Sequence, residues 1–167
     1  MRPILSIIGS ASTTPEQTAA AAALGQLAVE AGFRICCGGR GGVMVAACRG
    51  ARSAANYREG DTIGVLMDYD PASANAFVDI AIPTGIGFSR NTVVVAAGQV
   101  VVAVAGGAGT LSEIALAWQL KRPVIALCVG GWSETLAGQT LDHRHDSIIR
   151  RAESPEEAVQ LATELLN

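Results

Sequence analysis

Residues able to recognise or react with a ligand concentrate in four short segments. These are Gly9-Ser10-Ala11-Ser12, Gly38-Gly39-Arg40-Gly41-Gly42-Val43-Met44, Thr84-Gly85-Ile86-Gly87-Phe88-Ser89-Arg90-Asn91 and Ala105-Gly106-Gly107-Ala108-Gly109-Thr110-Leu111-Ser112-Glu113. Glycine tolerates positive φ, and without a Cβ it lets backbone N–H groups approach an anion closely. A single such run would make no more than a tight turn between a strand and a helix. Four at successive strand ends point to a phosphate-bearing ligand, with Gly9, Ser10, Ala11, Gly38, Gly39, Gly41, Gly42, Gly106, Gly107, Ala108, Gly109 and Thr110 as backbone contacts.

Charged and polar side chains in the same segments add chemistry. Arg90, with Ser89 and Asn91 beside it, is placed to hold an anionic group through a charge-assisted hydrogen bond. Arg40 lies among glycines, over a phosphate or in solvent. Glu113 is either a site carboxylate or the second half of a capping box, Thr110-x-x-Glu113, closing on the Thr110 N–H. Lys121 is the single lysine and sits at an expected helix end beside Arg122-Pro123, away from the glycine loops, which sets aside Schiff-base chemistry. No Gly-Lys-Ser/Thr occurs, so a P-loop is absent. His143 and His145, in Asp142-His143-Arg144-His145-Asp146, read as surface polar residues rather than metal ligands. Cys36, Cys37, Cys48 and Cys128 lack zinc-ligand spacing and read as small buried hydrophobes of a reducing compartment.

Strand-like and helix-like runs alternate along the chain and account for where these loops fall. Strands are expected at Ile4 to Ile8, Phe33 to Cys37, Asp61 to Met67, Ile80 to Pro83, Val100 to Val104 and Val124 to Val129. Helices are expected from Thr14-Pro15-Glu16-Gln17, a capping box with proline at the first position, to Ala31 before Gly32. Others are expected over Val43 to Ala54, Phe88 to Ala97, Thr110 to Leu120, and from Ser154-Pro155-Glu156-Glu157 to Leu166. Gly130 to Ser147 reads as an irregular, mobile flap, with Trp132 either over the ligand or a local anchor. The pattern predicts one α/β domain over residues 1–167, a Rossmann-like doubly wound parallel sheet of six to seven strands with helices on both faces. Ligands of such sheets bind at the carboxyl ends of the strands, where strand order reverses.

Composition excludes other classes. Of 167 residues, 50% are hydrophobic and 4% aromatic, so the core must be built from Ala, Val, Ile and Leu. The formal net charge of −3, with no basic stripe, argues against a nucleic-acid partner. The longest apolar stretch, Val93 to Ala105, is interrupted by Gly98-Gln99 and is too short to span a bilayer, so no membrane association and a cytoplasmic location are expected.

Gly106 to Glu113 resembles the PGGxGTxxE signature of the LOG family, cytokinin-nucleotide phosphoribohydrolases once described as lysine decarboxylases. Ala105 stands where that signature has Pro. Together with GGRGGVM at Gly38 to Met44 and GFSRN at Gly87 to Asn91, it resembles more closely the molybdenum cofactor carrier branch of the superfamily. That resemblance implies a binding or carrier protein for molybdenum cofactor (molybdopterin) or a related nucleotide, with no cofactor required for activity and a homodimer or homotetramer as the assembly. The LOG resemblance implies instead a nucleoside 5′-monophosphate phosphoribohydrolase, with Arg90 and Glu113 as its catalytic residues. LOG enzymes pair the Arg with a Lys, where this chain has Asn91, and Ser112 replaces their second acidic residue. A nucleotide-sensing regulatory module is the third reading.

Overall fold

The computed structural model describes residues 2–143 and 146–166. Seven strands form one parallel sheet: β1 (Ile4–Gly9), β2 (Arg34–Cys37), β3 (Thr62–Leu66), β4 (Ile80–Pro83), β5 (Val100–Val104), β6 (Val124–Leu127) and β7 (Arg150–Ala152). Their spatial order is β4-β3-β2-β1-β5-β6-β7, with every pair parallel. This is the expected α/β, doubly wound architecture, and the order reverses between β1 and β5.

Helices α1 (Pro15–Glu30), α2 (Val43–Arg52), α3 (Arg90–Ala97), α4 (Ala108–Gln119), α5 (Gly131–Leu136) and α6 (Pro155–Glu164) cover both faces. One layer is α6-α1-α2 and the other is α3, α4 and α5. Two apolar clusters lie between these layers and the sheet, and Cys37 and Cys36 point into opposite ones, as adjacent strand residues must. Sulfur packs there as a small hydrophobe for Cys36, Cys37 and Cys48. Cys128 departs from that expectation, because it follows the end of β6 and is only partly buried.

Local signals account for the element ends. The Thr14 side chain accepts from the Gln17 N–H at 3.2 Å, while Gln17 Oε1 accepts from the Thr14 N–H at 3.1 Å, a complete capping box. α3 forms despite Val93-Val94-Val95, because Val94 and Val95 are buried against the sheet. Packing there outweighs β-branched propensity.

Two expectations change. β7 lies outside the six expected strands: its Arg150-Arg151-Ala152 sequence is a charged edge without an apolar run, and only pairing with β6 makes it a strand. The segment from Gly130 is not a loose flap at its start. α5 docks on the turn after β5, where the N–H groups of Trp132 and Ser133 donate to the carbonyls of Gly106 and Ala105, each at 3.1 Å. Ser133 is buried, and its hydroxyl donates to Leu127 O at 2.7 Å. Further on, the Gly138 N–H donates to Ile149 O at 2.8 Å. His143 is exposed, as expected for a surface residue, and His145 lies outside the described residues. No group of His, Cys, Asp or Glu able to hold a metal occurs among the described residues.

α1 and α2 cross closely enough that a Cβ on Gly50 would sit 1.8 Å from Ala22 O. Gly50→Ala should therefore force the helices apart and destabilise the fold by about 1–3 kcal/mol or more. Urea unfolding would show this as a lower midpoint; an unchanged midpoint would mean that the crossing is looser than described.

Candidate functional site

The carboxyl ends of β1 and β5 open where strand order reverses, and a cavity of about 490 Å³ lies there. It is bounded by the first loop (Gly9, Ser10, Ala11), the second (Gly38, Arg40, Gly41), the start of α3 (Arg90, Asn91) and the start of α4 (Gly107, Gly109, Thr110, Glu113). Four loops separated by tens of residues thus meet at one place, as expected from the topology.

α4 begins at Ala108, two residues earlier than its apolar pattern suggested, with Gly107 as N-cap and no side chain capping it. Its first N–H groups therefore remain available to an anion, at the positive end of the helix. The earlier start also removes the capping-box reading of Glu113. Thr110 lies inside the helix rather than at its cap, and Glu113 turns into the cavity wall.

Arg90 is the least ordinary residue of the site. It is 7% exposed, at the first turn of α3, and Nη1 lies 3.6 Å from Glu113 Oε1. The same Nη1 donates to Asn91 Oδ1, while the buried Nε has no hydrogen-bond partner. Asn91 Nδ2 faces Ser112 Oγ at 3.4 Å, and Ser112 Oγ donates to Gly109 O at 2.6 Å. Asn91 and Ser112 thereby connect the arginine to the uncapped N-terminal turn of α4. A lysine in place of Asn91 has no acceptor and would set a second cation against Arg90. On the opposite side, a Cβ on Gly38 would come within 2.5 Å of Arg90 Nη2, so glycine there is a condition for housing the guanidinium.

Burial raises the Glu113 carboxyl to about 7, against the opposing pull of Arg90. An ionised carboxylate in so dry a place is poorly solvated, and a contact at 3.6 Å only partly compensates. Arg40, by contrast, is half-exposed at the cavity rim and 3.4 Å from Asp68 Oδ2.

Among the expected contacts, Gly39, Gly42, Ser89, Gly106 and Ala108 do not line the cavity. Gly39 O accepts from the Asn75 N–H at 2.8 Å, and Ser89 ends the short 3-10 turn Gly87–Ser89 ahead of α3. Gly42 caps α2 at φ +61, where a Cβ would strike Ser10 O at 2.1 Å; it brings the first two loops together. Gly106 faces α5, and Ala108 is exposed at the start of α4. Conversely, Ile7, Ile8, Ser12, Met44, Met67 and Phe88 line the cavity and are not among the expected contacts. Ser12, Met44 and Phe88 stand inside the quoted loops, and Met67 follows directly on β3, so strand-end position was the available signal. Trp132 does not line it and anchors α5 through its backbone.

A model of the SLOG cluster4 family matches residues 2–159. A protein of Archaeoglobus fulgidus is 33% identical over 123 residues, covering 74% of this chain and 78% of its own. The molybdenum cofactor binding protein from the phototrophic bacterium Rippkaea orientalis superposes with a TM-score of 0.86 at 35% identity, covering 100% of this chain and 99% of that one. The molybdenum cofactor carrier protein of Chlamydomonas reinhardtii gives 0.83 at 33% identity, covering 98% of both chains.

The raised carboxyl has a thermodynamic consequence. The folded chain holds a proton on Glu113 that the unfolded chain releases from pH 4.5 upward, so this residue makes stability fall as pH rises from about 4.5 to about 7, by on the order of 3 kcal/mol. Glu113→Gln should remove that part of the slope. Urea midpoints at pH 5 and pH 8 test it: equal slopes in wild type and variant would place the carboxyl in ordinary solvent.

Proposed function

The chain belongs to the SLOG cluster4 family, and on that premise we propose that it binds and carries a phosphate-bearing, nucleotide-like ligand, molybdenum cofactor or a related nucleotide. The observation that carries this reading is the pairing of Arg90 with a neutral Asn91 beside an uncapped helix N-terminus. The N–H groups at Gly107 to Thr110, with the Gly9–Ala11 loop, would take the phosphate. Arg90 keeps an unspent buried N–H for a polar group of the ligand, and Met44, Met67 and Phe88 offer apolar surface for a flat ring system. The similarity in sequence and fold to the two molybdenum cofactor proteins supports the same choice. A carried cofactor would be cargo here, with no role for it as a resident catalytic group.

A phosphoribohydrolase is the second reading, because Arg90 and Glu113 face one cavity. N-glycosidic cleavage passes through an oxocarbenium-like state that an ionised carboxylate stabilises. Glu113 titrates near pH 7 and is engaged with Arg90, and the residue that follows Arg90 on α3 is the neutral Asn91 rather than a second cation. Those features favour holding over cleaving. No helix among the described residues is long and apolar enough to cross a membrane, and we place the carrier in the cytoplasm as a homo-oligomer, without a nucleic-acid partner.

Purified protein incubated with AMP should release no adenine by chromatography. Steady turnover on the order of 1 per second, abolished by Glu113→Gln, would establish the hydrolase instead. In calorimetry, Arg90→Ala should weaken AMP binding by about 1.5–3 kcal/mol, the value of a hydrogen bond to a charged group. Equal affinities would remove Arg90 from the binding site.

A further inference from the structure

A second cavity, of about 250 Å³, opens at the edge of the sheet opposite the ligand site. It lies at the amino ends of β6 and β7, where Val124 and Arg150 begin those strands. α4 links the two places: its first turn borders the ligand cavity, and Trp118, near its end, borders this one. The 12 residues of α4, at 1.5 Å each, set its ends about 18 Å apart, so the second cavity is a place of its own.

The wall of this cavity is cationic and its floor apolar. Lys121, Arg122 and Arg150 line it, against one carboxylate, Asp146. Among the described residues, none of the three cations is paired with a carboxylate. Arg122 is held in place, since Nη2 donates to Ala96 O at 3.0 Å, while Lys121 and Arg150 are exposed. Trp118 and Val124 are buried at the floor, and Ile148 is exposed at the rim. The Trp118 indole N–H is engaged by Asp142 Oδ1 at 3.0 Å, so the ring adds apolar surface. Positive charges gathered without counter-ions repel one another, and an anion among them relieves that repulsion.

The backbone at Lys121 is strained. Its φ is +54, and among the described residues it shares the left-handed region with one other non-glycine residue, Ala105. The Lys121 N–H donates to Trp118 O at 3.1 Å and the Arg122 N–H to Ala117 O at 2.9 Å. This is the Schellman ending of a helix, whose left-handed position is ordinarily glycine. α1 ends in the same way and does use glycine: Gly32, at φ +94, donates to Val29 O at 2.9 Å, and Phe33 to Ala28 O at 3.0 Å. At the matching position of α4 stands the chain's single lysine, in a conformation that is costly for a residue with a Cβ. Backbone strain of this kind collects at ligand sites, and Ala105, the other example, heads the loop of the first cavity.

We propose that this cavity is a second binding site, for a small organic anion. A carboxylate or phosphate group is held by Lys121 and Arg150 beside Arg122, and the ring or short chain that bears it lies against Trp118 and Val124. The volume falls below the roughly 300–1,000 Å³ of sites for drug-sized ligands, which limits the apolar part to about one ring. The site is independent of the nucleotide reading above, because no residue lines both cavities.

Titration of the uniformly 15N-labelled full chain with benzoate and with phenyl phosphate tests the site. Benzamide, the ring without the charge, and inorganic phosphate, the charge without the ring, are the controls. At least one organic anion should shift the amides of Lys121, Arg122, Val124 and Ile148 along one saturating curve, and the tighter of the two identifies the head group. Both controls should bind at least about tenfold more weakly. Lys121→Gly separates binding from folding: it should raise the urea midpoint, by relieving the backbone, and yet weaken the anion about tenfold. Arg150→Gln should weaken it similarly with the midpoint unchanged. No saturating shift at these amides up to about 10 mM of either anion, or equal affinity for either control, overturns the site. So does an affinity unchanged in either variant. A midpoint that does not rise in Lys121→Gly assigns the lysine to the fold and overturns it as well.

Discussion

A guanidinium sealed inside a protein must be surrounded by groups that compensate its lost hydration, and Arg90 imposes that requirement on the whole site. Gly38 is bare because the guanidinium lies against it; Asn91 presents an oxygen to it; Glu113 faces it at 3.6 Å. These residues come from the end of β2, the start of α3 and the interior of α4, so the arginine can be housed only when the sheet is in register and both helices are seated. Its Nε still lacks a partner. A buried donor without an acceptor costs about 1–3 kcal/mol, and a ligand that supplies the acceptor recovers that cost on binding.

The α4 end of the cavity has its own constraint. Ala105 adopts φ +53 and Gly106 φ +99, so the chain reverses sharply after β5 and enters α4 with its N–H groups free. For a non-glycine residue the left-handed conformation costs roughly 1–2 kcal/mol. α5 offsets this by donating the N–H groups of Trp132 and Ser133 to the carbonyls of Gly106 and Ala105. Proline, which the LOG signature carries at this position, is locked near φ −65° and could not adopt the turn seen here. α5 is therefore a buttress behind the loop. Strain in the turn and the helix behind it are two halves of one device, which keeps the helix end open toward the cavity.

Much of this was legible in the residues themselves. The alternation of apolar strands with capped helices carried the fold, and glycine at the strand ends carried the location of the cavity, because both signals are local. What escaped was set by packing at a distance. β7 is a strand only through β6, and α5 is seated by Ala105, Gly106 and Leu127, residues distant from it in the sequence or in its neighbouring strand. The Glu113 capping box, with Thr110 as its N-cap, falls three residues out of phase with the helix, whose N-cap is Gly107. That Arg90 belongs to the cavity wall was legible from its place after a strand end, but its burial and its hold on Asn91 depend on Gly38, more than fifty residues earlier in the chain.

The central claim is that a phosphate-bearing ligand sits against the start of α4, at the switch between β1 and β5. Its most direct test is a titration of AMP into uniformly 15N-labelled protein, following the backbone amides. The account predicts the largest shifts at Gly107, Ala108, Gly109 and Thr110, with Gly9, Ser10 and Ala11 moving in parallel along one saturating curve. Saturable shifts confined to other surfaces, with the amides of these two loops unmoved, would contradict it.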